Sequence, residues 1–127
     1  MGTNYYLRYN RCEHCGRYDK RHIGKSYPGW CFALHVYPEE RINDLPEWEF
    51  LWQLGEIYDG YGNKVDPVEM KRIITERTWK GSDLDESWFK KNDAEPGPNG
   101  LARGRIDGIH HIGHGAGTWD LMVGEFS

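Results

Sequence analysis

A chain of 127 residues has single-domain size, and its 6 Trp, 8 Tyr and 4 Phe allow a modest core built largely from aromatic side chains. Its net charge of −4 is uneven: six basic side chains face only Glu13 and Asp19 in residues 1–30, while acids gather between Glu39 and Asp59. This balance argues against extended nucleic-acid binding, no stretch has the apolar length of a membrane span, and Met1-Gly2-Thr3-Asn4 reads neither as a signal peptide nor, with Tyr6 in place of Ser or Thr, as a myristoylation signal.

Thr3 to Tyr9 is rich in β-formers and predicts a first strand. Cys12-Glu13-His14-Cys15-Gly16 follows as a tight knuckle, then a return segment with His22 and Ile23, then a loop from Lys25 to Gly29. Trp30 to Tyr37 alternates like a half-buried strand, with Trp30, Phe32, Leu34 and Val36 facing the core and Cys31, Ala33 and His35 facing away. Leu45 to Leu54 predicts a short helix capped by Asp44 and stopped at Gly55. Glu56-Ile57-Tyr58 and Asn63-Lys64-Val65 flank the turn Asp59-Gly60-Tyr61-Gly62 as a hairpin. Asp66-Pro67-Val68-Glu69 opens a second helix that runs to about Thr78. Ser87 or Asp83 starts a brief helix around Trp88. Residues 93–100 read as a loop, and Leu121 to Phe126 as a last strand.

The pattern H-I-G-x5-W occurs twice, as His22-Ile23-Gly24 into Trp30 and as His111-Ile112-Gly113 into Trp119. Cys12-x2-Cys15 is a spacing that lets one turn aim two thiolates at a tetrahedral ion. The expected ligand set is therefore Cys12, Cys15, His22 and His111, with His114 in reserve, holding a structural Zn2+ that ties the two ends of the chain together. Cys31 and His35 would complete a set of three cysteines and one histidine by spacing, but along one strand they lie about 13 Å apart.

Three motif spellings carry little weight. His111-Ile112-Gly113-His114 spells the HIGH signature of nucleotidylyl transferases, but 13 residues remain after it where a nucleotide-binding fold would have to follow. Gly24-Lys25-Ser26 resembles the end of a P-loop, with Asp19 in place of its first glycine. His110-His111-x2-His114 lacks the Glu of a zinc protease.

The glycine-rich corners around Lys25-Ser26 and Gly115 to Thr118 are the expected ligand site. Lys25, Ser26, Trp30, His114 and Trp119 would line it, and Arg103 and Arg105 would add positive charge for a small anion or nucleotide. The alternative is two matching hairpin corners with Trp30 and Trp119 buried as core residues.

Thr3-Asn4-Tyr5-Tyr6, Cys12-x2-Cys15-Gly16, His22-Ile23-Gly24-Lys25-Ser26, Gly29-Trp30, Gly117-Thr118-Trp119-Asp120 and Gly124-Glu125-Phe126-Ser127 together resemble small, largely uncharacterised bacteriophage and prophage proteins. The resemblance covers both ends, about a third of the chain. It implies a zinc knuckle and expression in the host cytoplasm, and it brings no catalytic residues with it.

The expected architecture is a single α+β domain spanning 1–127, with an antiparallel sheet joining N- and C-terminal hairpins and about two packed helices. The expected function is that of a non-enzymatic, zinc-binding phage accessory protein that binds and neutralises a host factor or a small nucleotide signal. The alternatives are a zinc-dependent hydrolase or nuclease acting on nucleotides, and an acidic module that inhibits a host DNA-handling enzyme.

Overall fold

The computed structural model describes residues 2–79 and 85–126. Thr3–Tyr9 (β1) and Asp19–Ser26 (β2) pair as an antiparallel hairpin, in register from Tyr9–Asp19 at its tip to Thr3–Ser26. Between the pairs Tyr5–Gly24 and Tyr6–His22 the extra residue Ile23 forms a bulge and points its side chain into the core.

Phe32–His35 (β3) runs antiparallel to β2, and Gly55–Asp59 (β4) pairs with the other edge of β1. Lys64–Val65 (β5) closes that side. On the far side Trp119–Met122 (β9) lies parallel to β3, and His111–His114 (β8) lies antiparallel to β9. The seven-stranded order is β5-β4-β1-β2-β3-β9-β8. The N- and C-terminal hairpins thus share one mostly antiparallel sheet, joined through a single parallel pair.

One sheet face is covered by Leu45–Trp52 (α1) and Pro67–Thr75 (α2). Asp44 caps α1 and Asp66 caps α2, each through its carboxylate. Trp48, Trp52, Met70 and Ile74 from these helices pack on Leu7, Ile23, Phe32, Leu34, Ile57 and Trp119 from the sheet. Several of these side chains are fully buried, so removing any one would leave a cavity costing about 2–5 kcal/mol.

Part of the opposite face is covered by Ala94–Pro96 (β6) and Ala102–Gly104 (β7), a two-stranded hairpin preceded by Glu86–Lys91 (α3). The hairpin is fastened to the sheet by Cys31 N–H donating to the Ala102 carbonyl at 2.8 Å and by Ala102 N–H donating to that of Gly29 at 2.8 Å. Among the described residues no helix is long and apolar enough to cross a membrane.

Several boundaries differ from the expectation. The strand expected over 30–37 is confined to β3, because Trp30 closes a turn onto Tyr27 and bridges to Ala102 instead. Trp30 therefore leaves the core alternation and packs on Trp88 with centroids 5.5 Å apart. The second helix ends at Thr75 rather than Thr78, and Arg77 just beyond it donates to the carbonyls of Trp30 and Tyr27. The last strand is shifted to 119–122. The loop over 93–100 contains β6, a strand made by its pairing with β7. Asp85, not Ser87, caps α3, and Asp83 lies outside the described residues.

Candidate functional site

Beside the β6–β7 hairpin, the face opposite α1 and α2 opens into a cleft of about 710 Å³. Tyr6 from β1, His22 from β2 and His35 from β3 line it, together with Tyr37, Glu39 and the segment Val123 to Phe126. Alternation places these strand residues on the side away from the core. Phe126 leans on both imidazoles, with centroids 4.8 Å from His22 and 4.8 Å from His35, while Tyr37 stacks on His35 at 4.2 Å.

The hydrogen bonds in this cleft fix where its protons sit. Tyr37 Oη lies 3.0 Å from the His22 carbonyl, which only accepts, so the single hydroxyl hydrogen goes there. Burial pushes the Tyr37 phenol up to about 12, keeping that hydrogen in place. Tyr37 Oη also lies 3.1 Å from His35 Nδ1, and with its hydrogen committed it accepts from an Nδ1–H. His35 Nδ1 meets His22 Nδ1 at 2.9 Å, so the His22 atom accepts. His22 must then carry its hydrogen on Nε2, which lies 2.9 Å from Asn4 Oδ1 and donates to it.

One nitrogen is left over. His35 Nε2 has a bare lone pair and no hydrogen-bond partner among the described residues, in a side chain that lines the cleft. Both imidazoles are held neutral. Burial, then the facing His35, lowers His22 to about 4; burial, then the Arg21 guanidinium, lowers His35 to about 4.

A second cavity of about 250 Å³ shares Phe126 with the first. Lys25, Trp30, Cys31, His111 and Asp120 line it, so the structure does bring three of the expected site residues, Lys25, Trp30 and His111, to one place. Burial beside Asp120 pushes the Cys31 thiol up to about 11, which makes it an inert wall rather than a nucleophile.

Other expected site residues have structural tasks. Trp119 is buried in the core, and its indole nitrogen donates to Asp44 Oδ1 at 2.9 Å. Arg103 Nε donates to Asp120 Oδ1 at 2.8 Å and its Nη2 to the Trp119 carbonyl at 3.1 Å, so its charge is spent holding β7 on β9. Burial raises the Asp120 carboxyl even against that guanidinium. His114 Nε2 lies 3.2 Å from the Gly104 carbonyl. Arg105 reaches the Ala94 carbonyl at 3.4 Å, on the hairpin rather than in either cavity. Ser26 ends β2 and contacts the buried Tyr5 hydroxyl instead of facing Lys25.

The four expected zinc ligands do not meet. His22 pairs with Tyr6, three residues before the hairpin tip, so roughly 10 Å of strand separates it from the knuckle. His111 is on β8, and β3 and β9 stand between it and β2, a span of about 14 Å. Among the described residues no group of three or more His, Cys, Asp or Glu side chains is arranged to hold a metal ion. The knuckle keeps its two cysteines in one turn, and the Cys15 and His14 groups around Cys12 lower the proton affinity of its thiol.

Three acids of the 39–59 stretch pair with cations from elsewhere in the chain. Glu40 pairs with Arg21 at 2.5 Å, Glu49 with Lys71 at 3.1 Å and Glu56 with Lys64 at 2.5 Å.

Sequence reasoning missed Asn4, Tyr37 and Phe126, and set His35 aside once it failed as a partner for Cys31. The available signal was the alternation of the strand, which already turned His35 away from the core. Comparison with protein-family models, curated proteins and solved structures found no match to this chain.

Proposed function

We propose that this protein binds a nucleotide-sized ligand across the two cavities that share Phe126. The base lies in the larger cleft, where His35 Nε2 accepts a ring or amino N–H, and the phosphate lies toward Lys25. The observation carrying this reading is the contact chain Tyr37–His35–His22–Asn4, which engages every ring nitrogen of the pair except His35 Nε2 and leaves that atom as an acceptor between Tyr37 and Phe126. Glu39 and Glu125 at the larger cleft disfavour a phosphate there, whereas Lys25 supplies a cation in the smaller one. In a phage-encoded protein, retention of a nucleotide without turnover would sequester a host signal. Zinc takes no part in this reading of the cleft.

Equilibrium binding of a nucleoside, its monophosphate and inorganic phosphate, with chromatography of the recovered ligand, tests the reading. The monophosphate should bind more tightly than the nucleoside or phosphate alone, and Lys25→Ala should reduce it to the nucleoside level. His35→Asn places an amide nitrogen where Nδ1 stood, keeping the donor to His22 and Tyr37 while deleting Nε2. It should weaken nucleoside and nucleotide alike by about tenfold, the value of one hydrogen bond near 1.4 kcal/mol. If none of the three compounds binds, the proposal fails.

The uncommitted Nε2 favours one second reading, a hydrolase in which it takes a proton from water. Multiple turnover of the nucleotide, abolished by His35→Asn, would replace sequestration with catalysis.

A further inference from the structure

The tip of the β1–β2 hairpin presents a half-built metal site. Cys12 N–H donates to the Arg17 carbonyl at 2.7 Å, and Gly16 N–H donates to that of Cys12 at 2.9 Å. Gly16 has φ +73°, the left-handed conformation that lets the chain turn back directly after Cys15. Cys12 and Cys15 lie within this one turn. Both are free, Cys15 is exposed and Cys12 partly so. The tip is not a loose loop: the Arg8 guanidinium lies between the rings of Tyr18 and Tyr58, 4.7 and 3.7 Å from their centroids, and Asn10 donates to Asp19 at 3.1 Å.

A structural zinc ion takes four ligands in tetrahedral geometry, and this tip offers two. His22 and His111 are held elsewhere in the sheet, and His14 lies inside the turn between the two cysteines. An exposed pair of thiolates at the end of a rigid hairpin has an obvious complement, which is the same pair on another copy. Two such tips meeting about a two-fold axis give four sulfurs around one ion.

We propose that Cys12 and Cys15 of two copies of this chain bind one Zn2+ in a shared tetrathiolate site, joining the copies tip to tip. Four thiols release four protons to the solvent as one Zn2+ binds, and the resulting centre carries two negative charges. Arg11 and Arg17 flank each pair against Glu13, all three exposed. Four arginines therefore surround the dianionic centre in the dimer, and the same arginines repel one another when the metal is absent. The dimer is consequently metal-dependent, not merely metal-containing. This inference uses nothing in the His22–His35 cleft and is independent of the proposed ligand.

Native mass spectrometry and light scattering of the full chain, with zinc and with a chelator, test it. The expected result is one zinc per two chains, dissociation to monomers on chelation and recovery on adding zinc. Cys12→Ser and Cys15→Ser should each lower zinc retention at least tenfold and give monomers, while in chelator their thermal unfolding should match that of the unaltered chain because the tip lies outside the core. His14→Ala should leave both metal and dimer intact. Cobalt(II) in place of zinc should give the absorption of a tetrathiolate centre. One zinc per monomer, a dimer indifferent to chelator, a Cys12–Cys15 disulfide as the resting form, or no retained zinc would each overturn the proposal.

Discussion

Asp44 and Trp119, 75 residues apart in sequence, share one carboxylate oxygen with the start of a helix. Asp44 Oδ1 accepts from the Leu45 backbone at 2.7 Å and from the Trp119 indole nitrogen at 2.9 Å. The cap of α1 and the anchoring of β9 are therefore one interaction. Asp44→Ala should cost about 2 kcal/mol, the sum of a lost cap and a buried indole N–H left without its partner. Asp44→Asn, which keeps an acceptor oxygen, should cost less than half of that. Urea denaturation of the three proteins measures both differences.

The two H-I-G segments should respond differently to the same substitution. A Cβ on Gly24 would run into the Ala33 carbonyl oxygen and the Phe32 ring, both fixed in the sheet. A Cβ on Gly113 would meet Leu121 Cδ1 at 3.6 Å, an ordinary contact. Gly24→Ala should destabilise by about 3 kcal/mol or more, and Gly113→Ala by about 0.5 kcal/mol or less. Thermal melts of the pair decide whether the repeated spelling reflects a shared structural demand.

Arg103 and Asp120 form a nearly buried ion pair, their side chains 13% and 5% exposed. Removing one partner strands the other. Asp120→Ala should therefore cost about 3–5 kcal/mol, whereas Arg103→Met combined with Asp120→Leu should recover most of that loss. A double-mutant cycle by denaturation, with hydrogen exchange at β7 as a local readout, checks this.

The neutral imidazole pair makes stability depend on pH over a defined window. His22 and His35 are lowered from 6.5 to about 4 in the folded protein, so between those values the unfolded chain binds protons that the cleft refuses. Their contribution is complete above about pH 6.5 and is lost as pH falls toward 4. Allowing for solvent at the cleft mouth, the loss should be on the order of 2 kcal/mol. His22→Asn combined with His35→Asn should flatten this part of the stability–pH curve. An unchanged slope in the double variant would show that the two imidazoles do not titrate as described.

Local chemistry made much of the fold readable in advance. Asp66-Pro67-Val68-Glu69 announces a helix start by its cap, its proline and its acidic third residue, and α2 begins there. Thr3 to Tyr9 is a strand by composition and by position. What could not be read was everything settled between distant segments. Ala94–Pro96 is a strand only because Ala102–Gly104 lies beside it. Trp30 leaves the core because Trp88 and Ala102 wait on the other side. Equal spelling also concealed unequal positions: His22 faces His35 in the cleft, while His111 sits near the outer edge of the sheet against Gly104. The cleft depends on Asn4, His35, Tyr37 and Phe126, which come from three separate segments and meet only in the folded sheet.

The parallel pairing of β3 with β9 governs the order in which the molecule can assemble. Strands β1 to β5 all come from residues 3–65, so that five of the seven strands can pair without the C-terminal segment. Phe32 finds Trp119 only after a very long loop has closed, and until then β3 is an open edge with unpaired backbone groups. A chain in which β9 has not yet docked exposes the largely apolar β3 along one side. A chain released from synthesis before Trp119 to Met122 emerge would keep that edge, and its hazard would be self-association rather than simple loss of shape.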